Sequence, residues 1–271
     1  MDEYGEIAEV YYALNTPEVM AGECIENPDI SEFIANLPDG SHILDAACGL
    51  GYDAIAIQNS LPKEQTAQGK KFFAYGADFS QAMIDGSKQN AATFFKNDKE
   101  IDFRCCSFED LKLQQDWYQK FDAVIVPNAL YTFPKQISAK DYELYFQRCL
   151  ESFSCVLKKG GFLVANFRDW QKIEKKNAKT SHEDERFGEV FITQYEWLYN
   201  QEDGMAHYAD IIVFKKDNPD KRHISSVKYY NGTALDFADM IEKAGFKIDK
   251  NSINKPSAYD EGFVTLIAER I

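Results

Sequence analysis

The chain has 271 residues, of which 45% are apolar and 27% are charged, so it can bury a substantial core. Its net charge of −14 disfavours nucleic acid as a partner and suits a cationic or zwitterionic small molecule, although the charge could also serve only solubility. No run of about 18 apolar residues predicts a membrane span, and the acidic N-terminus does not resemble a signal peptide.

Cysteine and histidine usage argues against a metal site. The six cysteines form no CxxC pair, and the four histidines are scattered along the chain. Unpaired cysteines used as small core residues are typical of a reducing compartment. We therefore predict a cytoplasmic protein that binds no metal.

Taken in chain order, the sequence predicts a helical segment over residues 1–40 and then alternating strands and helices up to residue 169. Such alternation is typical of a parallel sheet that is covered by helices on both faces. Strands are predicted at residues 42–48, 71–78, 101–106, 121–127 and 162–167, and helices at 52–61, 80–96 and 141–157.

The pattern changes after residue 169. Residues 170–186 are polar and predict an exposed loop or lid, and three strand-like runs separated by turn signals follow at 189–198, 206–215 and 223–230. We interpret residues 170–230 as an antiparallel β cap inserted into the core. The core, residues 41–169 and 231–271, closes with a helix at 233–244 and strands at 246–253 and 262–269. The predicted fold is α/β, a doubly wound, Rossmann-like, seven-stranded mixed sheet with this cap and the N-terminal helical segment.

The first chemical signal is a glycine turn between a strand and a helix, with Asp45, Ala47, Gly49 and Gly51. Glycines let a ligand approach the backbone, and the helix start offers free N–H groups. The turn is not GxGxxG and has no basic residue nearby, so a zwitterion fits better than a pyrophosphate. Its amino group would lie near Asp45 and its carboxylate near the N–H groups. The alternative is an ordinary strand-to-helix turn.

Two further signals follow the next two strands. Asp78 can accept hydrogen bonds from both hydroxyls of a ribose, or it can merely cap the helix at Ser80. Ser107 and Phe108 lie where an adenine ring would rest, since ligands of open α/β sheets lie across the strand ends. The acidic residues that follow Phe108 would contact the ring or cap the next helix.

These positions together resemble the class I methyltransferases that depend on S-adenosylmethionine (SAM). The segments LDAACGLG, GADFSQAMI and FDAVIVPNA match that family in order and spacing. The resemblance implies SAM as cofactor, S-adenosylhomocysteine (SAH) as product, and a cofactor site that also includes Phe79, Met83 and Pro127.

A narrower similarity points to the glycine N-methyltransferase and glycine/sarcosine methyltransferase group. It lies in LDAACGLGYDAIAI, FDAVIVPNALYTFP and LKKGGFLVANFRDW. The group's Asn and Arg match Asn128 and Arg168, and the resemblance implies that this Arg holds the carboxylate of an amino-acid substrate. The chain departs from the group at Pro127, and Asn166 and Phe167 replace a basic pair.

Arg168 and Asn128 are therefore the candidate catalytic and substrate-binding residues. Arg168 ends a strand at the mouth of the site, where its planar, two-pronged donor suits a carboxylate; a salt bridge to Asp169 or another nearby acid is the alternative. Asn128 follows the fourth strand, beside the expected methyl position, or is only a turn residue.

Tyrosines could line an aromatic pocket around the substrate. The candidates are Tyr195, Tyr199, Tyr208, Tyr229 and Tyr230, Tyr195 and Tyr208 foremost, although each could be an ordinary strand residue. The family resemblance adds Tyr11 and Tyr12, which would close the site from the N-terminal segment.

We predict transfer of a methyl group from SAM to the nitrogen of a small amine or amino acid, glycine or sarcosine among them. Orientation and desolvation would do most of the work, and no histidine is placed to act as a base. The alternative keeps SAM and methylates nitrogen or oxygen of a larger natural product. Other classes are a nicotinamide-dependent oxidoreductase and a SAM-fold protein without activity. We expect a small-molecule substrate, neither nucleic acid nor membrane as partner, and a chain that is compatible with homo-oligomers.

Overall fold

The computed structural model describes residues 8–59, 70–95, 101–175, 178–186 and 188–271. Residues 1–7 of the predicted N-terminal segment and the end of the helix predicted at 52–61 lie outside these ranges. The described part of that segment is helical in three places, with loops between them. It contains a 3-10 helix at Ala8–Leu14 and the helices α1 (Pro17–Met20) and α2 (Pro28–Asn36).

The described part of the chain contains eleven strands in two sheets. The strands before the cap are β1 (His42–Asp45), β2 (Phe73–Asp78), β3 (Asp102–Cys105), β4 (Phe121–Val126) and β5 (Leu157–Arg168). The cap contains β6 (Lys179–Arg186), β7 (Glu189–Gln201), β8 (Ala206–Lys215) and β9 (Asn218–Tyr230). The chain ends with β10 (Phe246–Ile248) and β11 (Phe263–Arg270).

The larger sheet has the order β10-β11-β5-β4-β1-β2-β3. Strands β1 to β5 pair in parallel, whereas β11 is antiparallel to both β5 and β10. The structure therefore confirms a seven-stranded mixed sheet. In a parallel sheet the carboxyl ends of neighbouring strands meet at one edge, and β1 to β5 bring their ends together in this way.

Helices cover both faces of this sheet, which makes it doubly wound. Alternate strand residues face opposite sides, so Ile43 packs in the cluster with Ile30 and Leu44 packs in the cluster with Phe146. None of the helices in the described ranges is long and apolar enough to cross a membrane. The remaining helices are α3 (Tyr52–Gln58), α4 (Gln81–Phe94), α5 (Tyr142–Val156), α6 (Ala234–Lys243) and α7 (Lys250–Asn254).

The strand predicted at 246–253 is wrong in its second half. β10 ends at Ile248, and Asp249 caps the helix α7 by accepting a 3.0 Å hydrogen bond from the backbone N–H of Asn251. An aspartate that can bond to the backbone ahead of it favours a helix start over a continuing strand. The helix predicted at 233–244 is confirmed, with a capping box between Thr233 and Asp236.

The cap is an antiparallel sheet with the order β6-β7-β8-β9. The loop or lid predicted at 170–186 is wrong over residues 179–186, because β6 pairs with β7 there. Edge strands in natural proteins often carry charged side chains that prevent further pairing, and KTSHEDER has this character. Such a strand lacks the apolar alternation by which the other cap strands were predicted.

The cap is joined to the core by the segment that follows β4. The backbone N–H of Phe133 donates to the Lys228 carbonyl at 3.1 Å, and that of Tyr230 donates to the Tyr131 carbonyl at 3.0 Å. The N-terminal 3-10 helix packs on the cap from the other side, with Val10 in one cluster with Val213. The core, the cap and the N-terminal segment therefore surround one space.

Candidate active site

A cavity of about 560 Å³ opens at the carboxyl ends of β1 to β5, beneath the cap and the N-terminal segment. This volume lies within the range of small-molecule sites. Most of the residues predicted from the sequence line it. They are Asp45, Ala47, Gly49, Asp78, Phe79, Met83, Ser107, Phe108, Pro127, Asn128, Arg168 and Tyr195.

Gly49 and Gly51, the two glycines of the turn between β1 and α3, have different structural roles. Gly49 has φ +49°, and a Cβ there would meet only a ring atom of Tyr11 at 3.7 Å, so its backbone is open to a ligand. Gly51 has φ +81°, and its Cβ would lie 2.8 Å from Cβ of Ser87 and 2.9 Å from Cζ of Phe103. Gly51 does not line the cavity, because it serves the close packing of the turn against α4 and β3.

Asp78 joins the end of β2 to the glycine turn. Its Oδ2 accepts a 3.0 Å hydrogen bond from the N–H of Gly49, and its Oδ1 accepts one of 2.9 Å from the N–H of Ser80. The cap of α4 is Ser80 itself, whose Oγ accepts from the N–H of Met83 at 3.3 Å. Asp78 is therefore not merely the helix cap. Its carboxylate also lines the cavity, where ionised oxygens have capacity for further donors.

A hydrogen-bond network that the sequence did not predict crosses the cavity. Asn128 has φ +52°, and its backbone N–H donates to Asn166 Oδ1 at 2.6 Å, while its own Oδ1 accepts from Asn166 Nδ2 at 2.7 Å. Its Nδ2 then lies 3.2 Å from the Tyr259 hydroxyl and 3.5 Å from Glu26 Oε1. Tyr259 donates to the same Glu26 oxygen at 2.8 Å. A non-glycine residue at positive φ that is held from both sides is typical of functional sites.

Arg168 lies among aromatic rings rather than carboxylates. Asp169 pairs instead with Lys172 at 3.5 Å, so the predicted alternative of an Arg168–Asp169 salt bridge is wrong. No carboxylate in the described ranges forms an ion pair with Arg168, and its buried Nε has no hydrogen-bond partner. A buried donor without a partner calls for an explanation, and a bound ligand or water is one. The rings around the guanidinium, with centroids between 4.8 and 6.0 Å away, belong to Phe263, Trp197, Tyr229, Trp170 and Tyr131.

Residues 37–208 match a family model described as a methyltransferase domain, and this match spans more than half of the 271 residues. The chain belongs to this methyltransferase family. A search of curated protein sequences gave no significant match.

Solved methyltransferase structures share the fold over nearly the whole chain. The CcbJ methyltransferase from Streptomyces caelestis superposes with a TM-score of 0.69 at 15% identity, covering 100% of this chain and 99% of that one. CalS10, a SAM-bound amino pentose methyltransferase from Micromonospora echinaspora, gives 0.63 at 14% identity, covering 97% and 95%. KedS8, a sugar N-methyltransferase from Streptoalloteichus, gives 0.60 at 15%, covering 97% and 92%. The chain is a SAM-dependent methyltransferase with the predicted Rossmann-like core.

The charge of the methyltransferase's cavity fits SAM, which carries a sulfonium and an ammonium beside its carboxylate. Arg168 is the one positively charged side chain among the described residues of the wall, against five acidic ones. Burial raises the pKa of Asp45 well above its ordinary value, and it raises that of Asp53 to about 7. The five acidic residues are Glu26, Asp45, Asp53, Asp78 and Glu109.

We expect Asp53 to make the ligand-free enzyme less stable at higher pH. Its carboxyl holds a proton in the folded state up to about pH 7, whereas in the unfolded chain it releases the proton near pH 3.9. The free energy of unfolding therefore falls as the pH rises through this window. Asp53→Asn removes this loss, so it should raise Tm at pH 8 and change Tm little at pH 4. Each kcal/mol of unfolding free energy that the substitution restores corresponds to roughly 2–4 °C in Tm.

Thermal melts of both proteins across this pH range test the prediction. The asparagine can still accept the 2.9 Å hydrogen bond that the N–H of Glu26 donates to Asp53 Oδ1. The exposed Asp85, whose carboxylate accepts a hydrogen bond from Gln81, is the matched control as Asp85→Asn. If Asp53→Asn raised Tm equally at pH 4 and pH 8, ionisation of the Asp53 carboxyl would not be the cause of the pH dependence.

At the end of β3, Ser107 donates a 2.7 Å hydrogen bond to Asp110, and Glu109 pairs with Arg148. Of the two acidic residues predicted to contact the ring or cap the next helix, Glu109 lines the cavity and Asp110 does not, and within the described residues no side chain caps the 3-10 helix at Phe108–Leu113. Phe108 does line it, with its ring held edge-on by Phe153 at 5.5 Å.

Tyr12 and Tyr208, both predicted to bind substrate, lie outside the cavity. In the 3-10 helix, Tyr11 faces the cavity, while Tyr12 packs on Phe191 at 5.5 Å. Along β8, Ile211 faces the cavity and Tyr208 points to the opposite side, because side chains alternate with a period of two. The Tyr208 hydroxyl instead donates to Glu202.

Proposed function

We propose that this methyltransferase transfers the methyl group of SAM to the nitrogen of a small molecule that carries both an amine and an acidic group, an amino acid of the glycine or sarcosine type being the simplest. The observation that carries this proposal is Arg168, a charged wall residue for which the described ranges offer no carboxylate partner. Such a guanidinium suits a carboxylate, which it can bind through two parallel hydrogen bonds.

The cofactor would be held by residues that follow three neighbouring strands. Asp45 would receive its amino group, Asp78 the ribose hydroxyls, and Ser107 and Phe108 the adenine ring. When bound, SAM supplies a methyl carbon on a positively charged sulfur, which a neutral amine attacks as the C–S electrons pass to sulfur. The open backbone at Gly49 allows the close approach that this arrangement needs.

The protein's own contribution would be orientation and exclusion of water. Aromatic side chains from the N-terminal segment, the cap and the core enclose the space between Asn128 and Arg168. Holding the amine in line with the methyl group can lower the barrier by about 7–11 kcal/mol, so little covalent help is required. The enclosing rings are those of Tyr11, Tyr131, Tyr195, Tyr229 and Phe263.

A second candidate is an amine or hydroxyl of a larger natural product, such as an amino sugar. It is supported by the match to CalS10 and KedS8, an amino pentose and a sugar N-methyltransferase, over almost all of this chain, cap included. The same Arg168 would then bind an acidic group elsewhere on the acceptor.

The test is release of SAH from SAM in the presence of a panel of acceptors. The panel holds glycine, sarcosine, dimethylglycine, amino sugars with and without an acidic group, and phenols. Turnover of the amino acids supports the first proposal. Turnover confined to amino sugars supports the second, and Arg168 would account for a preference for those with an acidic group. Turnover confined to phenols contradicts methylation of nitrogen.

The variant Arg168→Ala tests whether Arg168 binds the acidic group of the acceptor. With an acidic acceptor we expect kcat/KM to fall about 10- to 100-fold, the worth of a hydrogen bond to a charged group, while the affinity for SAH stays unchanged. Arg222→Ala removes an exposed cap arginine that donates to the Pro219 carbonyl and lies over the Phe214 ring, away from the cavity, and it should have no effect. An equal loss with acceptors that lack the acidic group would show that Arg168 only shapes the cavity.

A further inference from the structure

Glu26 is a carboxylate that faces the cavity without a cation. It lies in the loop between α1 and α2, and its backbone is fixed by the hydrogen bond to Asp53. Its Oε1 accepts from Tyr259 at 2.8 Å and lies 3.5 Å from Asn128 Nδ2. Within the described residues nothing donates a hydrogen bond to Oε2, and no lysine, arginine or histidine forms an ion pair with Glu26. One of its oxygens is therefore available to a ligand in the cavity.

The partners of Glu26 place it on the acceptor side of the site. Asn128 follows β4, where the methyl position is expected, and Tyr259 precedes β11. The Tyr259 ring packs edge-on against Phe263 at 5.2 Å, and Phe263 in turn lies 4.8 Å from the guanidinium of Arg168. A carboxylate and a guanidinium thus border the same part of the cavity, separated by aromatic rings. This arrangement is complementary to an acceptor that carries opposite charges at two points.

We infer that Glu26 binds the ammonium group of the acceptor through Oε2 and accepts its proton, while Tyr259 and Asn128 hold the carboxylate in place. The inference rests on the proposed function, to which it adds a proton acceptor and an amine site. Neither function had been assigned to a residue from the sequence.

The proton balance is simple. One N–H bond of the ammonium breaks and leaves its electron pair on nitrogen, and an O–H bond forms on Glu26. The neutral amine has then gained the lone pair that methylation needs, and Glu26 later releases the proton to water. Burial raises the pKa of Glu26, and the hydrogen bonds from Tyr259 and Asn128 hold part of that rise back. A carboxylate with a raised pKa is a better proton acceptor than an exposed one.

The test uses ligands that do not depend on the identity of the acceptor. SAH lacks the methyl group, whereas sinefungin is a SAM analogue that carries an amino group at that position. Calorimetry at pH 8 should show that the wild-type enzyme prefers sinefungin to SAH. Glu26→Gln, which keeps the shape of the side chain, should reduce that preference by about tenfold or more while SAH binds as before. The exposed Glu23 of the same loop is the matched control as Glu23→Gln.

A second variant separates a proton acceptor from a residue that is only structural. Tyr259→Phe removes the hydrogen bond that lowers the pKa of Glu26. The preference for sinefungin requires the ionised carboxylate, so its midpoint on the pH axis should move upward in this variant. An unmoved midpoint would contradict the inference. The other titratable groups around Glu26 are Asp45, Asp53, Tyr11, Tyr131, Tyr195 and Tyr259.

The outcomes for the inference and for the proposed function can be told apart. If Glu26→Gln weakens SAH and sinefungin equally, Glu26 holds the cofactor or shapes its pocket, and the inference is overturned while the proposed function stands. The inference is also overturned if the wild-type enzyme binds sinefungin no more tightly than SAH. If the preference depends on Glu26 and yet no amine of the panel is methylated, the amine site stands and the proposed acceptor is wrong.

Discussion

Asp78→Ala is expected to lower the affinity for SAM and SAH about 100-fold or more. Two ribose hydroxyls bonded to one carboxylate are charge-assisted hydrogen bonds, each worth about 1.5–3 kcal/mol. The same substitution leaves the N–H of Gly49, now bonded to Asp78 Oδ2 at 3.0 Å, without its acceptor. The glycine turn would lose its anchor to β2 together with the ribose contact, so both effects reduce binding.

Calorimetry with SAH measures this loss, and circular dichroism checks that the variant is folded. The control is Asp85→Ala, which removes an exposed carboxylate from α4 and should bind SAH as the wild type does. Sinefungin should lose affinity in parallel with SAH, because the ribose is common to both. If Asp78→Ala still binds SAH within about threefold of the wild type, a difference of well under 1.4 kcal/mol, Asp78 does not bind the ribose.

The parts of the site that could be predicted from sequence are those that follow a strand directly. Asp45, Asp78 and Asn128 each come at the end of an apolar run or just after one, and parallel strands bring their carboxyl ends to one edge. Local pattern and one topological rule were therefore enough to place them together. The fold class followed from the same alternation of strands and helices.

Glu26 and Tyr259 could not be found in this way. They lie 233 positions apart in the chain, and each belongs to a connecting segment with no periodic pattern. Their contact exists only because the N-terminal segment and the loop before β11 both close over the sheet edge. Asn166 was visible in the sequence, but as a departure from a family pattern. Its role in fixing Asn128 depends on β4 and β5 being neighbours.

The wrong prediction for Tyr208 has a related cause. Tyr195 and Tyr208 are both aromatic residues on cap strands, and a strand's side chains alternate between two faces. Which face covers the cavity depends on how the cap docks, and that is set by contacts with residues 131–133. Tyr195 pairs with Ile211 on the cavity side, whereas Tyr208 pairs with Leu198 on the other.

A largely buried ion pair helps to hold the cap on the core, and breaking it is expected to destabilise the protein strongly. The Lys228 side chain is 1% exposed; it pairs with Glu202 and donates to the Ile137 carbonyl at 2.7 Å. Glu202 also accepts hydrogen bonds from Tyr208 and from the N–H of Ala139. Burial by itself would raise the pKa of Glu202, but these hydrogen bonds outweigh it and lower the pKa to about 2. The pair therefore ties β9 and the β7–β8 turn to the core.

Lys228→Met is expected to lower the free energy of unfolding by about 3 kcal/mol, at the lower end for a broken buried pair because Glu202 keeps some contact with solvent. Urea unfolding measures the loss. Lys216→Met is the matched control within the cap, since it breaks an exposed pair with Glu183 (Nζ to Oε1 2.8 Å) that is worth about 0–1 kcal/mol. Combining Lys228→Met with Glu202→Gln should recover part of the loss, because no unpaired charge then remains. Equal costs for the two lysine variants would mean that apolar packing and the backbone pairing of β9 hold the cap without help from the ion pair.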